Sequence, residues 1–326
     1  MKILVIGGAG YIGSIVMQDL QHRGYPVWAV DNLSAGHRPA VDPERLLEGD
    51  YGNPEFADWV CAKVMPELVV QCASRCQVEE SAQKPKEYFE NNVTRLSIFL
   101  QCLRRHQVKR LVFMSSAAVY GIPSRIPVDE DCPPAPINVY GDTKLAGERL
   151  VQHAAKEWGC GVIVFRLFNV CGATEDGKLG EHHSPETHAV PNAVGAALGL
   201  RTSFYLSGAG HLTPDGTTVR DYVSVLDVGE AVARGIGLLK AGNFGVYNIG
   251  SGVGTSIRQV ITEVEAASRK PVPVSETPAR PGDPPQLVAD LTKTQRDFGW
   301  HPARTLRESI ASTIRWFESH PGGFPI

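Results

Sequence analysis

A tyrosine and a lysine four residues apart, Tyr140 and Lys144, are the pair in this chain with the most to offer chemically. They open a predicted helix, so the phenol and the ammonium lie one turn apart on one face. A free phenol titrates near pH ~10, so it works as a base near neutrality only if its pKa falls by roughly three units, about 4 kcal/mol of differential stabilisation. The neighbouring ammonium and a second positive charge bound nearby would supply it. Ser115 and Ser116 end a predicted strand about one connection earlier. A hydroxyl there can pass a proton between a substrate and the phenol. Each feature also has an ordinary alternative, an exposed helix pair for Tyr140 and Lys144 and turn residues for the serines.

The elements that must position these groups are legible. Short apolar runs, KILVIG, VWAVD, ERLLEGD, LVVQCAS, RLVFMSS and GVIVFRLFNV, alternate with segments of helical period, including a helix from about Tyr11 to Arg23 and a long one before RLVFMSS. This alternation predicts a parallel sheet covered on both faces, in which ligands approach the carboxyl ends of the strands. Gly7-Gly8-Ala9-Gly10-Tyr11-Ile12-Gly13 follows the first strand and opens the first helix, the context of a dinucleotide-binding loop. One glycine allows the tight turn, another lets the backbone approach a pyrophosphate, and Gly13 lets helix and strand pack closely. Asp31 ends the second strand, where a carboxylate accepts from ribose hydroxyls and repels an additional phosphate, which selects NAD over NADP. Asp50, taken to end the third strand beside Tyr51, suits the adenine end or simply a turn.

After about Ala173 the texture changes to Gly, Pro, His and Thr, with a helix expected near Pro191 and a strand at SFYLSG. We therefore expect an α/β protein: a Rossmann-type doubly wound parallel sheet with a smaller C-terminal α/β substrate-binding domain. Residues 1–175 form the NAD-binding part, with return segments near 221–250, and 176–326 is mainly the substrate part. His182, His183 and His188 fall in a polar loop with neither helical spacing nor an evident carboxylate partner, so no metal is expected there. The seven cysteines are scattered and never form CxxC, which argues against a disulfide framework or a zinc site and for a reducing, cytoplasmic setting. A formal charge of -3 offers no basic surface to nucleic acid, and no apolar run is long enough to span a bilayer.

Taken together, GGAGYIG, MSSAAVYG, YGDTK, RLFNVCGA, VRDYVSV and VYNIGSGVGTS resemble the extended short-chain dehydrogenase/reductase family, and within it the nucleotide-sugar 4-epimerases, over essentially the whole chain. The resemblance implies a catalytic set of Ser116, Tyr140 and Lys144. Around NAD it places Gly7, Gly10, Tyr11, Ile12 and Gly13, then Asp31, Asn32, Leu33, Ser34 and Gly36, then Asp50 and Tyr51. Cys72, Ala73, Ser74, Asn91 and Phe168 complete that group with Tyr140 and Lys144. Toward a UDP-sugar it places Ser116, Tyr140, Asn169, His188, Ala189, Tyr205, Arg220, Arg280, Asp283 and Leu287. Two arginines suit a diphosphate, because a planar fork donates two charge-assisted hydrogen bonds. The implied reaction is interconversion of UDP-glucose and UDP-galactose through a 4-keto sugar, with Tyr140 as base and NAD retained.

Several positions depart from the family pattern. Leu287 stands where some members carry a tyrosine and others a small residue, so UDP-N-acetylhexosamines are an alternative substrate pair, as are UDP-pentoses. Ala189 is smaller than the leucine common there, Cys76 stands near a position where some relatives use a lysine, and Gln71 replaces a frequent histidine. Dehydratases of the same fold add carboxylates beside the serine, and Ser115, Ser116, Ala117 and Ala118 provide none. A regulatory NAD-sensing protein would not need both Tyr140 and Lys144. Apolar stripes on the helices from about Tyr88 to His106 and Val139 to Trp158 resemble the family's dimer bundle, so a homodimer is expected, although packing on the sheet needs such stripes too.

Overall fold

The computed structural model describes residues 1–207, 210–278 and 284–325. The first half supplies strands β1 (Ile3–Ile6), β2 (Val27–Asp31), β3 (Leu46–Glu48), β4 (Leu68–Gln71), β5 (Arg110–Ser116) and β6 (Gly161–Leu167). The second half supplies β7 (Asn169–Cys171), β8 (Phe204–Ser207), β9 (Val219–Ser224), β10 (Phe244–Ile249), β11 (Gly254–Ser256), β12 (Val274–Thr277) and β13 (Gln286–Leu287). The helices are α1 (Tyr11–His22), α2 (Pro54–Val64), α3 (Val78–Gln83), α4 (Pro85–Phe89), α5 (Arg95–Arg105) and α6 (Val139–Trp158), followed by α7 (Ala189–Ala197), α8 (Val225–Gly235), α9 (Ile257–Ser268), α10 (Thr292–Phe298) and α11 (Leu306–Ser319).

Seven strands form the main sheet in the order β10-β6-β5-β4-β1-β2-β3, every pairing parallel. Strand period sorts the side chains between two layers. Ile3, Val5, Val112 and Met114 join the core on one face, while Leu4, Ile6, Leu111 and Phe113 join that on the other. Both faces are apolar because helices cover both, which is why these strands read as unbroken hydrophobic runs. Strand order reverses between β4 and β1, opening a crevice at their carboxyl ends.

The expected return to the main sheet is made by β10, while α8 packs on α1. β9 instead centres a separate small sheet with β11 and β13, and β7 pairs with its other part. The segment GVIVFRLFNV is therefore two strands in two sheets. The break falls at Phe168, whose amide donates to Ile249 O at 3.0 Å while its ring is buried. The long helix before β5 is likewise divided into α3, α4 and α5, with Pro85 opening α4 and one wide π-type turn, Glu90–Thr94, leading into α5. A proline cannot donate in a helix interior, so it marks a start. β3 stops at Glu48, two residues before Asp50, which accepts from Gly52 N at 2.8 Å in the following turn. Among the described residues, no helix is long and apolar enough to cross a membrane.

Candidate active site

The glycine loop is shaped by backbone crowding. Gly7 has φ +78°, and a Cβ there would lie 2.6 Å from Ala73 N; one on Gly13 would lie 2.0 Å from Gly7 O. Both positions exclude any side chain, so α1 starts directly against the ends of β1 and β4. Gly10 caps α1 with no side-chain hydrogen bond, and no acidic residue stands in its first turn. That amino terminus is suited to an anion. Asp31, buried at the end of β2, accepts from Ala9 N at 3.0 Å and from Leu33 N at 2.9 Å. Burial raises its pKa, and those two hydrogen bonds oppose the rise. Asp31 thus braces the loop and presents its carboxylate beside Gly36, where a Cβ would lie 2.8 Å from its oxygens. These close approaches leave a cradle without side chains, closed on one side by a carboxylate. It fits the pyrophosphate and ribose of a dinucleotide.

Other positions assigned to the cofactor line the same edge. Asn32 accepts from Ser34 N at 3.1 Å in the turn after β2. Tyr51 is buried, donates to Asn91 O at 3.1 Å and meets Phe99 edge to face. Asp50 pairs with Arg95 at 3.2 Å. Buried Gln71 donates to Ala73 O at 3.2 Å, and burial pushes the thiol of Cys72 up to about 12, so it stays protonated. Tyr11 reaches away from the loop to donate to Gly172 O at 2.7 Å, tying the first helix to the segment after β7.

Ser116 ends β5, and its Oγ accepts from Ala118 N at 3.2 Å, starting a single turn of tight helix. Asn138 caps α6 by accepting from Gly141 N at 2.8 Å, which places Tyr140 in the first turn. Lys144 follows one turn later, buried, with Nζ 5.9 Å from the centre of the Tyr140 ring and donating to Met114 O at 2.8 Å. Burial lowers the pKa of Lys144 to about 8. It raises that of Tyr140, Cys76 adds to the rise, and hydrogen bonding to Ser116 works against it. The three predicted catalytic groups therefore converge. The protein alone holds the phenol protonated, so a further positive charge is required to make it a base.

Apart from Ser115, the residues that support this set were not singled out by the sequence. Ser81 Oγ, fully buried, accepts from Tyr140 N at 3.2 Å. Asn92, in the wide turn before α5, donates to Thr143 Oγ1 at 3.0 Å and to Arg75 O at 3.0 Å, joining the tyrosine helix to the loop after β4. Beneath them, Ser115 donates to Glu148 at 2.5 Å, and Glu148 holds Arg166 in a fork at 2.8 and 3.0 Å. Glu148 lies one turn beyond Lys144, the only sequence signal for this pair.

The expected polar histidine loop is ordered and supplied with carboxylates. His182 stacks on His37 at 4.4 Å and accepts from Phe324 N at 3.1 Å. His188 Nδ1 lies 2.6 Å from Glu181 and 3.2 Å from Glu186, and His183 lies 3.2 Å from Glu181. Burial acts to lower the pKa of His183, but the carboxylates of Glu181 and Glu186, 3.2 and 3.5 Å from its Nδ1, prevail and raise it to about 10. His188 is raised in the same way, while opposing histidines hold Glu186 well below the ordinary carboxylate range against its burial. The missed signal is GEHHSPETH, in which each acid precedes a histidine by two residues.

His188 caps α7 and Ala189 opens it, with Asn169 exposed on β7. Arg220 and Leu287 are register partners on β9 and β13. Tyr205 is 61% exposed on β8, in the separate two-stranded sheet. Arg280 and Asp283 lie outside the described residues.

A parallel doubly wound sheet whose crevice joins a dinucleotide cradle to a serine, tyrosine and lysine set defines a class of nucleotide-dependent enzymes acting on alcohols and ketones. Residues 3–250 match the model of the NAD dependent epimerase/dehydratase family. A UDP-glucose 4-epimerase of Lactobacillus helveticus is 39% identical over 99% of each chain. The UDP-glucose 4-epimerase of Bifidobacterium longum, solved with NAD+ and UDP, superposes with a TM-score of 0.96 at 32% identity, covering 99% of this chain and all of the other. The UDP-Glc/GlcNAc 4-epimerase of Campylobacter jejuni gives 0.82 at 30% identity, covering 98% and 99%. The chain belongs to the NAD dependent epimerase/dehydratase family. It is an NAD-dependent epimerase.

Proposed function

We propose that the chain inverts C4 of UDP-hexoses, interconverting UDP-glucose and UDP-galactose, with Tyr140 as the base. The observation that carries this reading is the convergence of Ser116, Tyr140 and Lys144 on the crevice that holds the glycine cradle. NAD, when bound, supplies the acceptor and donor of the C4 hydride and a positive charge beside the phenol. Lys144, fixed by Met114 O, adds its ammonium from the helix side, and the two charges together offset the burial that otherwise keeps Tyr140 protonated. Tyr140 then takes the proton of the 4-hydroxyl through Ser116 and returns it after the sugar has turned. Arg220 and Arg280, with Asn169, hold the UDP part, leaving the hexose free to rotate.

To test this, purified protein without added cofactor is incubated with UDP-glucose, products are identified, and NAD is assayed after acid release. Formation of UDP-galactose with about one NAD per chain is expected. Product formation undiminished in Tyr140→Phe would overturn the assignment of the base.

A second substrate pair is favoured by Leu287, which is buried beside Arg220 and intermediate in volume between a tyrosine and a small residue. We expect turnover of UDP-N-acetylglucosamine alongside UDP-glucose, and no turnover of the acetylated pair would remove this reading. A homodimer joined through α5 and α6 completes the proposal, with light scattering as its test.

A further inference from the structure

The segment that leaves α11 turns back into the molecule. Gly323 N donates to His320 O at 2.9 Å, and Gly323 has φ +78°, the left-handed region that glycine enters freely. A Cβ on Gly323 would lie 2.2 Å from the His182 ring, so the imidazole lies flush against this turn. Phe324 follows, 6% exposed, in a core cluster with Ile15 of α1, Leu179, Val225 and Trp316. Its amide donates to His182 Nδ1 at 3.1 Å. That bond needs a lone pair on Nδ1, and burial, by lowering the pKa of His182, keeps it available. A path of contacts then leads from the turn to the glycine loop. The Phe324 ring stands 5.0 Å from that of His37, and His37 stacks on His182 at 4.4 Å. His37 Nε2 donates to His182 O at 3.0 Å, while its backbone amide donates to Ala9 O at 2.8 Å. Ala9 lies within the glycine loop and gives its own amide to Asp31.

We propose that Phe324, His182 and His37 form a clasp that positions one wall of the dinucleotide cradle and slows the release of NAD. The proposal rests on the reading of the glycine loop as the seat of NAD. The wall is the turn from Asp31 to His37, which starts at the carboxylate closing the cradle and ends at the residue bonded to Ala9 O. To open the cradle on this side, the turn must part from the glycine loop. Moving His37 away also separates its ring from His182 and Phe324 and breaks the bond to His182 O. The packing of the segment after α11 therefore adds to the barrier against opening, although Phe324 acts only through His37 and is a positioning residue. Trp316 of α11 anchors the other side of the clasp: Nε1 donates to Glu181 O at 3.1 Å, and the indole stacks on His320 at 4.0 Å. Slow release suits a cofactor that is reduced and reoxidised within one turnover.

The test loads the whole chain with radiolabelled NAD, removes free cofactor and follows loss of the label into excess unlabelled NAD. Phe324→Ala should release NAD about tenfold faster than the parent, whereas Phe324→Tyr, which keeps the ring, should release it at the parental rate. His37→Ala removes a half-buried ring from the other side of the clasp, disturbs the core less and carries the same expectation. The double alanine variant should release NAD no faster than the faster single one, because both changes open one clasp. Thermal melts with and without NAD give a second readout: the rise in Tm at a fixed excess of NAD should be smaller in Phe324→Ala than in the parent. If Phe324 only completes the core, Tm falls equally with and without NAD and release stays at the parental rate, and the clasp is overturned. Parental release from His37→Ala, or effects that multiply in the double variant, overturn it too. A parent chain that takes up no label would overturn the NAD reading itself, and the clasp with it, a result distinct from equal release rates.

Discussion

The crevice around Tyr140 and the loop from Glu181 to His188 both bury ionisable groups, and they do so to opposite effect. At Tyr140 and Lys144 burial prevails: Glu148, one turn beyond Lys144, pulls the lysine the other way but is itself paired with Arg166. Both groups move toward their neutral forms, the lysine to about 8 and the phenol above its ordinary value. In the loop His183 and His188 each meet Glu181 and Glu186, and these partners outweigh burial, so the pairs stay charged, while His182, without such a partner among the described residues, is lowered by burial. A site held close to neutrality answers to the next charge that arrives, as a reactive centre must; a site paired in advance is already satisfied and serves to fix the chain. Gln77 donates to Pro185 O at 2.9 Å and Ser81, on the helix that Gln77 leads into, accepts from Tyr140 N at 3.2 Å, so the two regions lie side by side and differ in pairing rather than in location.

The sharpest way to break this contrast is at the phenol. Tyr140→Phe should lower kcat by roughly 10³-fold, the scale of a lost acid–base group, with Tm and bound NAD unchanged. Steady-state kinetics and a thermal melt check it, and a large loss of Tm would place Tyr140 among the structural residues instead. The paired kind of site should behave conversely. Arg166→Met leaves Glu148 as an uncompensated buried charge beneath the active site, and should cost about 3–5 kcal/mol in a urea titration. A cost below about 1 kcal/mol would mean that solvent reaches Glu148 in the variant.

The loop makes a prediction in pH. His183 has a folded pKa of about 10 against an ordinary 6.5, so its contribution is fully present below about pH 6.5, declines above it, and is gone past about pH 10. Glu186 is depressed, so its share is present above its ordinary 4.5 and lost as pH falls further. The stability difference between the parent and His183→Asn should therefore peak between about pH 4.5 and 6.5, at about 2 kcal/mol, and close by about pH 10. A difference that does not vary with pH would show that His183 acts by packing alone.

Which of these features the sequence disclosed follows from how local each one is. The glycine loop, Asp31 and the Tyr140 to Lys144 spacing are set by a strand end or by a single helical turn, and the structure brings them together where the strand pattern places them. The Glu148 to Arg166 fork joins a helix to the next strand across 18 positions, and only the fold reveals it. The histidine loop read as unpaired because its glutamates act through a chain reversal, not through helical spacing. The break at Phe168 was hidden because β6 and β7 are both apolar and differ only in the sheet they join. The small sheet's contribution depends on registers such as Arg220 with Leu287, which no period in the sequence encodes.

The smallest expected effect tests whether the reactive region owes its geometry to an unassigned neighbour. Ser81 is fully buried, donates to Val78 O at 2.6 Å and accepts from Tyr140 N at 3.2 Å. It thereby satisfies a free amide in the first turn of α6 and fixes the distance between α3 and α6. Ser81→Ala leaves that amide without an acceptor, at a cost of about 1 kcal/mol. If that energy positions Tyr140, its loss should fall on the chemical step: kcat about fivefold lower, with KM for the UDP-sugar unchanged. If Ser81 only caps the helix, Tm should fall and kcat should not. The split is informative because the phenol and the hydrogen-bonded amide belong to one residue, so a small shift of the backbone is transmitted directly to the phenol oxygen proposed as the base.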